Sequence, residues 1–314
     1  MTNEPKKTLL AECMLLLVTV MWGTNPPIMK LGLQYISPLP YNVARLLVGS
    51  VVALLVLWLS GGYRRPARED LWAFIRVSIF GFFVFQILFA EGINRTTSGN
   101  AGFMGCLLPL FVLLLNRIYG FGTINRAVGI GIACSIAGVV LIVLGAGREL
   151  SLAGTHLIGA LLLLGAQAGN AYYTVFSREL LDRYSTYQVT ASLMVIASVL
   201  MLALSFPAMH AVAWSELPAQ AWGSIVFSGF FGLCLSNFLW VWGTSVIGTA
   251  RVSVFNNLTP LFAVVTAYFL LDETFGALQA VGAVFVLGGV YITRRRKRLP
   301  DRQADAKESG SDTN

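Results

Sequence analysis

Apolar residues fall in ten runs of 18 to 23 positions, parted by short clusters rich in glycine, proline, arginine and lysine: 9–29, 40–60, 71–91, 97–116, 127–146, 154–176, 187–208, 220–242, 249–271 and 276–293. A helix rises 1.5 Å per residue, so about 20 such residues cross the ~30 Å hydrocarbon core of a bilayer. Lipid offers no partner to a backbone N–H or C=O, and the even ten-residue alternation of a barrel strand does not occur. Each run is therefore expected as a helix. Neutral stretches such as Ile130 to Gly147 and His156 to Ser177 support this. The first run follows Lys6-Lys7 as in a signal peptide, but no small-residue cleavage site precedes Trp22-Gly23-Thr24-Asn25-Pro26-Pro27. It reads as an uncleaved first span.

The runs repeat. A shift of 151 superimposes Phe80-Gly81 on Phe231-Gly232, Gly92 on Gly243, Pro109-Leu110-Phe111 on Pro260-Leu261-Phe262, Gly131 on Gly282 and Gly138 on Gly289. A shift of 148 places Lys30 on Arg178 and Ser37 on Ser185, so three residues must be absorbed between helices 7 and 8. Five spans per half is an odd number, which makes the second half cross in the opposite sense. The expected fold class is an all-α integral membrane protein, ten transmembrane helices as two inverted-topology five-helix repeats, over 9–146 and 154–293. Such repeats place a solute site near the midplane where the halves meet.

Composition agrees: 56% of the 314 residues are hydrophobic and 12% charged, against about 25% charged in soluble proteins. The net charge of +7 could suggest nucleic acid, but the basic residues sit between the apolar runs and in Arg294-Arg295-Arg296-Lys297-Arg298. With the N-terminus inside, sixteen basic residues fall on the cytoplasmic side and four (Lys30, Arg45, Arg95, Arg148) outside, which predicts both termini cytoplasmic. Residues 1–8 are then a cytoplasmic N-terminus and 294–314 a basic, disordered cytoplasmic tail. Cys13, Cys106, Cys134 and Cys234 lie in apolar runs without CxxC spacing, and His156 and His210 have no partnered acid or thiol. No metal, cofactor or catalytic role is expected, and no P-loop lysine points to ATP hydrolysis.

In order along the chain stand Trp22-Gly23-Thr24-Asn25, Arg45, Thr97-Ser98-Gly99-Asn100-Ala101 leading to Pro109, Asn257-Leu258-Thr259-Pro260-Leu261-Phe262, Asp272-Glu273, Gln279, Gly282 and Gly288-Gly289. With the duplication, these motifs resemble the EamA-type branch of the drug/metabolite transporter superfamily over nearly the whole chain. The resemblance implies two inverted five-helix units and secondary transport, usually export, of small metabolites such as amino acids. Two departures stand out. Asp272-Glu273 meets Phe121-Gly122 in the first half, and Glu12 lies near the cytoplasmic end instead of mid-helix, where small multidrug transporters carry a glutamate.

Candidate solute-binding residues are polar or aromatic groups inside spans: Trp22, Asn25, Arg45, Gln86, Asn170, Tyr173, Asn237 and Asn256. Amides offer both donors and acceptors to an amino acid, and Gln86 superimposes on Asn237 at the 151 shift, which would aim both at the pseudo-axis. The competing reading for any one amide is an interhelical hydrogen bond. Arg45 either captures a carboxylate, pairs with Glu91, or anchors at the interface; Arg76 and Glu12 are within snorkelling reach of the cytoplasmic interface. Trp22, Tyr173, Trp240 and Trp242 form either an aromatic wall or an interfacial belt. Pro109 and Pro260 cannot donate a backbone hydrogen bond and recur in both halves, which predicts matched hinges or kinks.

The expected partners are a small-molecule solute and the lipid bilayer, with no nucleic acid and a monomeric chain. Export of amino acids or derivatives by alternating access is the first reading. Efflux of aromatic or quaternary-ammonium drugs is the alternative, and a membrane scaffold the reading from another class.

Overall fold

The computed structural model describes residues 4–120, 126–145, 154–247, 255 and 258–295. Among these residues there are ten helical spans and no strand. They are α1 (Glu4–Gly32), α2 (Pro38–Ser60), α3 (Arg68–Arg95), a broken α4 (α4a, Ser98–Gly105; α4b, Leu108–Ile118) and α5 (Arg126–Gly145). The second set is α6 (Thr155–Leu181), α7 (Thr186–His210), α8 (Ala219–Val226, Phe227–Leu235 and Ser236–Ile247), α9 (Thr259–Leu271) and α10 (Ala277–Arg295). Five of them (α1, α2, α3, α7, α8) are long and apolar enough to cross a membrane, and bent α4 makes a sixth. Helices α5, α9 and α10 hold shorter apolar segments, whereas α6 is 27 residues long but carries Gln167 and Asn170. Large apolar side chains such as Trp58, Val199, Phe269 and Val284 point outward, as a lipid-facing surface requires. The chain is a multi-pass membrane protein of two five-helix repeats.

The inverted two-fold is visible in contacts between repeat mates. Ser50 and Ser198, 148 apart, hydrogen-bond to each other at 2.8 Å midway along α2 and α7. A residue touches its own mate only near a two-fold axis. The α5–α10 crossing repeats under the same two-fold: a Cβ on Gly138 would lie 2.5 Å from the Gly282 carbonyl, and one on its mate Gly289 would meet the carbonyl of Gly131, the mate of Gly282. Ser135 Oγ donates to the carbonyl of its own mate, Val286, at 3.4 Å. The double variant Ser50→Cys/Ser198→Cys, with the four native cysteines replaced by serine, is expected to form a disulfide on mild oxidation, seen as a linked peptide pair by mass spectrometry. Absence of the link would contradict this axis.

The three-residue offset has a local cause. Helix α7 has 25 residues against 23 in α2, and the linker that follows, 211–218, is one residue longer than 61–67 and holds a 3-10 turn at Trp214–Glu216.

Two features depart from the sequence reading. Pro109 and Pro260 fall inside the predicted runs 97–116 and 249–271, yet each sits in the first turn of a helix, α4b and α9, where the missing N–H would have no partner anyway. Helix α4 bends 43° just before Pro109, through 3-10-type bonds from Cys106 N to Phe103 O (3.1 Å) and Leu107 N to Met104 O (3.0 Å). Helix α1 runs on through Pro26 and Pro27 to Gly32, leaving the Trp22 and Gly23 carbonyls without their i+4 donors. The sequence also gave no sign of the π-helical turns at Val77–Phe83 in α3 and Phe227–Leu235 in α8, which the 151 shift superimposes. Widened turns of this kind occur often at functional sites. The expected N-terminal and C-terminal tails overlap residues outside the described set, although α1 already begins at Glu4.

Candidate functional site

The polar core gathers where α1, α2, α3 and α8 converge, so that both halves contribute. Trp22 Nε1 donates to the Gly232 carbonyl at 3.3 Å inside the π-helical turn of α8. One turn on, the Asn25 carboxamide lies against the same glycine, where a Cβ would fall 2.6 Å from Asn25 Oδ1. Asn25 Nδ2 donates to Met29 Sδ at 3.5 Å. The same sulfur accepts from Arg45 Nη1 at 3.0 Å.

Arg45 is 1% exposed. Its Nε donates to Asn42 Oδ1 (2.7 Å), Nη1 to Ser228 Oγ (2.9 Å) and Nη2 to Gln86 Oε1. Asn42 Nδ2 in turn donates to the Gln86 carbonyl. Two buried polar atoms in this cluster have no hydrogen-bond partner among the described residues: Asn25 Oδ1 and Gln86 Nε2. Trp22 also packs on Trp240, with ring centroids 4.9 Å apart. The cluster thus carries a cation, two unfilled amide positions and an aromatic pair.

The structure therefore brings Trp22, Asn25, Arg45 and Gln86 together and separates the others. Of the readings open for Arg45, the pair with Glu91 does not form among the described residues: Glu91 is bound by Arg95 one helical turn away. Asn237 Nδ2 donates to the Leu233 carbonyl of its own helix, and no hydrogen bond joins it to Gln86 among the described residues. Asn256 lies outside them.

Asn170 and Tyr173 occupy the mirrored place. They are the 148-shift mates of Trp22 and Asn25, and a Cβ on Gly81, in the π-helical turn of α3, would fall 2.8 Å from the Tyr173 Cα. The charge has no mirror image, since the mate of Arg45 is Leu193 and that of Met29 is Ser177. The two half-sites share geometry but not chemistry. Sequence reading missed Met29, Asn42, Ser228 and Gly232 as members of the cluster; only Gly232 had given a signal, as part of the repeated Phe-Gly pair.

At one end of the bundle Glu273 ties the two halves together. Asp272 ends α9 with φ 52, a conformation that aspartate tolerates. Beyond it the Glu273 carboxylate accepts from Ser98 N (3.0 and 2.8 Å), Gly99 N (3.3 Å) and Ser98 Oγ (3.3 Å) at the start of α4a. It also accepts from Lys30 Nζ at 2.9 Å. The N–H groups of a helix start and a lysine thus hold one carboxylate, tying α1, α4a and the α9–α10 turn across the two halves.

At the opposite end, buried Asp70 accepts from Tyr184 OH (2.6 Å) and Arg183 Nη1 (2.8 Å), and Glu69 accepts from Arg183 at 3.0 Å. The hydrogen bond to Asp70 raises the Tyr184 pKa, and the Asp70 charge raises that of Arg183. This second cluster ties α3 to the α6–α7 turn. An open pocket of about 460 Å³ lies near Tyr35, Ala208 and Pro218, and no candidate residue lines it.

Compared with known proteins, the chain matches the EamA-like transporter family twice, over residues 9–144 and 157–295. The chain belongs to the EamA-like transporter family. EamA transporters form part of the drug/metabolite transporter superfamily. Among the proteins it is similar to is the "Uncharacterized transporter YyaM" of Bacillus subtilis (strain 168), 27% identical over 91% of this chain and 94% of the relative. Another is the "Probable terminal-alkyne amino-acid exporter" of Streptantibioticus cattleyicolor, 26% identical over 92% of this chain and 95% of the relative. A solved crystal structure, 17% identical, superposes with a TM-score of 0.64 over 90% of this chain and 96% of its own. That likeness shows the fold.

Proposed function

We propose that this EamA transporter is a secondary exporter of amino acids or their derivatives, working by alternating access between its two halves. The observation that carries the reading is the convergence of Trp22, Asn25, Arg45 and Gln86 of the first half with Ser228 and Gly232 of the second in a buried polar core, with the Lys30–Glu273 pair tying the two halves at one end. Inverted halves of nearly equal energy can exchange conformations, which moves the opening from one end of the bundle to the other. The named exporter relative supports amino acids as the solute class.

The basic residues support an orientation with both termini cytoplasmic and the Lys30–Glu273 end outside. Helix α4 bends at Pro109 beside α6, and α9, which opens at Pro260, packs on α1. These two places are the proposed hinges.

Purified protein in liposomes, given a panel of labelled amino acids with and without an imposed pH gradient, tests the reading. At least one amino acid is expected to move; no movement of any under either condition would refute it. The Trp22–Trp240 pair favours a second reading, efflux of aromatic or quaternary-ammonium compounds. Transport of tetraphenylphosphonium in the same vesicles, with amino acids excluded, would decide for it.

A further inference from the structure

Four basic side chains form ion pairs among the described residues, all partly exposed: Lys30 with Glu273, Arg76 with Glu179, Arg95 with Glu91, and Arg183 with Glu69 and Asp70. Arg45 is more deeply buried than any of them and belongs to no ion pair among the described residues. All of its ligands are neutral, and one of them, Met29 Sδ, is a thioether, a weak acceptor for a guanidinium N–H. A buried charge inside a membrane span that lacks a counter-charge is costly and marks a functional position.

The groups around it show which counter-charge would fit. Met29 Sδ receives N–H groups from both Arg45 and Asn25, the place an anionic oxygen would occupy to best effect. Among the described residues Gln86 Nε2 is a buried donor with no acceptor, and Asn25 Oδ1 is a buried acceptor with no donor. A carboxylate beside an ammonium would answer all three. One helical turn before Asn25, against the same Gly232, stands the Trp22–Trp240 pair. Methionine is flexible enough to swing aside.

We infer that the core recognises the zwitterionic head of an α-amino acid with a bulky apolar side chain. Arg45 and Gln86 take the carboxylate, Asn25 Oδ1 takes the ammonium, and the Met29 thioether fills the carboxylate position while the site is empty. The inference rests on the transport reading above and sharpens it, because it excludes solutes that carry a positive charge alone. It also explains why the chemistry is one-sided: the mates of Arg45 and Met29, Leu193 and Ser177, cannot do the same in the other half.

The test compares L-phenylalanine, 3-phenylpropionate and phenethylamine in vesicles containing the full chain. The unmodified protein is expected to move phenylalanine about 100-fold faster than phenethylamine, which lacks the carboxylate, and about 10-fold faster than phenylpropionate, which lacks the ammonium. Arg45→Gln is expected to abolish the preference for phenylalanine over phenethylamine. Met29→Leu keeps the volume but removes the competing acceptor, and should lower the KM for phenylalanine about threefold; a methionine with a packing role alone would leave KM unchanged. Phenethylamine moving as fast as phenylalanine in the unmodified protein would overturn the inference and leave the transport reading standing. Failure of a folded chain to move any amino acid at all would overturn both.

Discussion

Gly282→Leu is expected to destabilise the protein by about 3 kcal/mol or more, lowering the melting temperature in detergent by roughly 5 °C or more. At Gly282 a Cβ would meet the Gly138 carbonyl at 2.6 Å and the Ile142 amide nitrogen at 2.8 Å. Those atoms are backbone, so relief requires α5 and α10 to separate along their length. Lipid gives no hydrophobic drive to press two helices together again, so close packing at small residues carries much of their association. Gly223→Leu is the control: nothing lies within 4 Å of its Cβ position, and its effect should stay within about 0.5 kcal/mol, as for a surface change. Equal melting temperatures for the two variants would refute the α5–α10 crossing.

Glu273→Gln is expected to shift the balance between closed and open at the Lys30 end about 30-fold toward open, an estimate of about 2 kcal/mol for losing charge-assisted bonds. The glutamine keeps the shape of the side chain, but its amide group turns a donor toward the Lys30 ammonium or the Ser98 N–H. Lys30→Gln should act in the same direction and more weakly, because Glu273 would keep its bonds to Ser98 and Gly99. Labelling of Asn25→Cys by an impermeant maleimide reads the opening. The rate should rise with either substitution, and an unchanged rate in Glu273→Gln would show that this cluster does not hold the end shut.

Much of the fold could be read from sequence because hydropathy and the duplication are properties of the chain alone. The 148 and 151 shifts already paired Gly131 with Gly282 and Gly138 with Gly289, and in the structure these glycines make the α5–α10 crossing. The π-helical turns could not be read, since Val77–Phe83 and Phe227–Leu235 look like ordinary apolar helix and only their matching positions link them.

The site was less accessible than the fold for a physical reason. Opposite charge made Glu91 one of the possible partners of Arg45, but Arg95, one turn from Glu91, is the nearer competitor. Arg45 was left with neutral partners, among them a methionine sulfur that no polar pattern marks. Likewise the main partners of Glu273 are backbone N–H groups of Ser98 and Gly99, about 175 positions away. A residue's own letter does not announce its backbone as a ligand. Residue types nominated Trp22, Asn25, Arg45 and Gln86 among eight candidates, while their connection through Met29 and Gly232 needed coordinates.

Solute counterflow tests the central claim, alternation between two inverted halves, most directly. Vesicles containing the protein and loaded with excess unlabelled phenylalanine are diluted into a trace of labelled phenylalanine, with no ion gradient. An alternating carrier must return loaded, so labelled solute is expected to accumulate transiently above its outside concentration and then decline. Equilibration without overshoot, at the same rate with or without internal phenylalanine, would contradict alternating access.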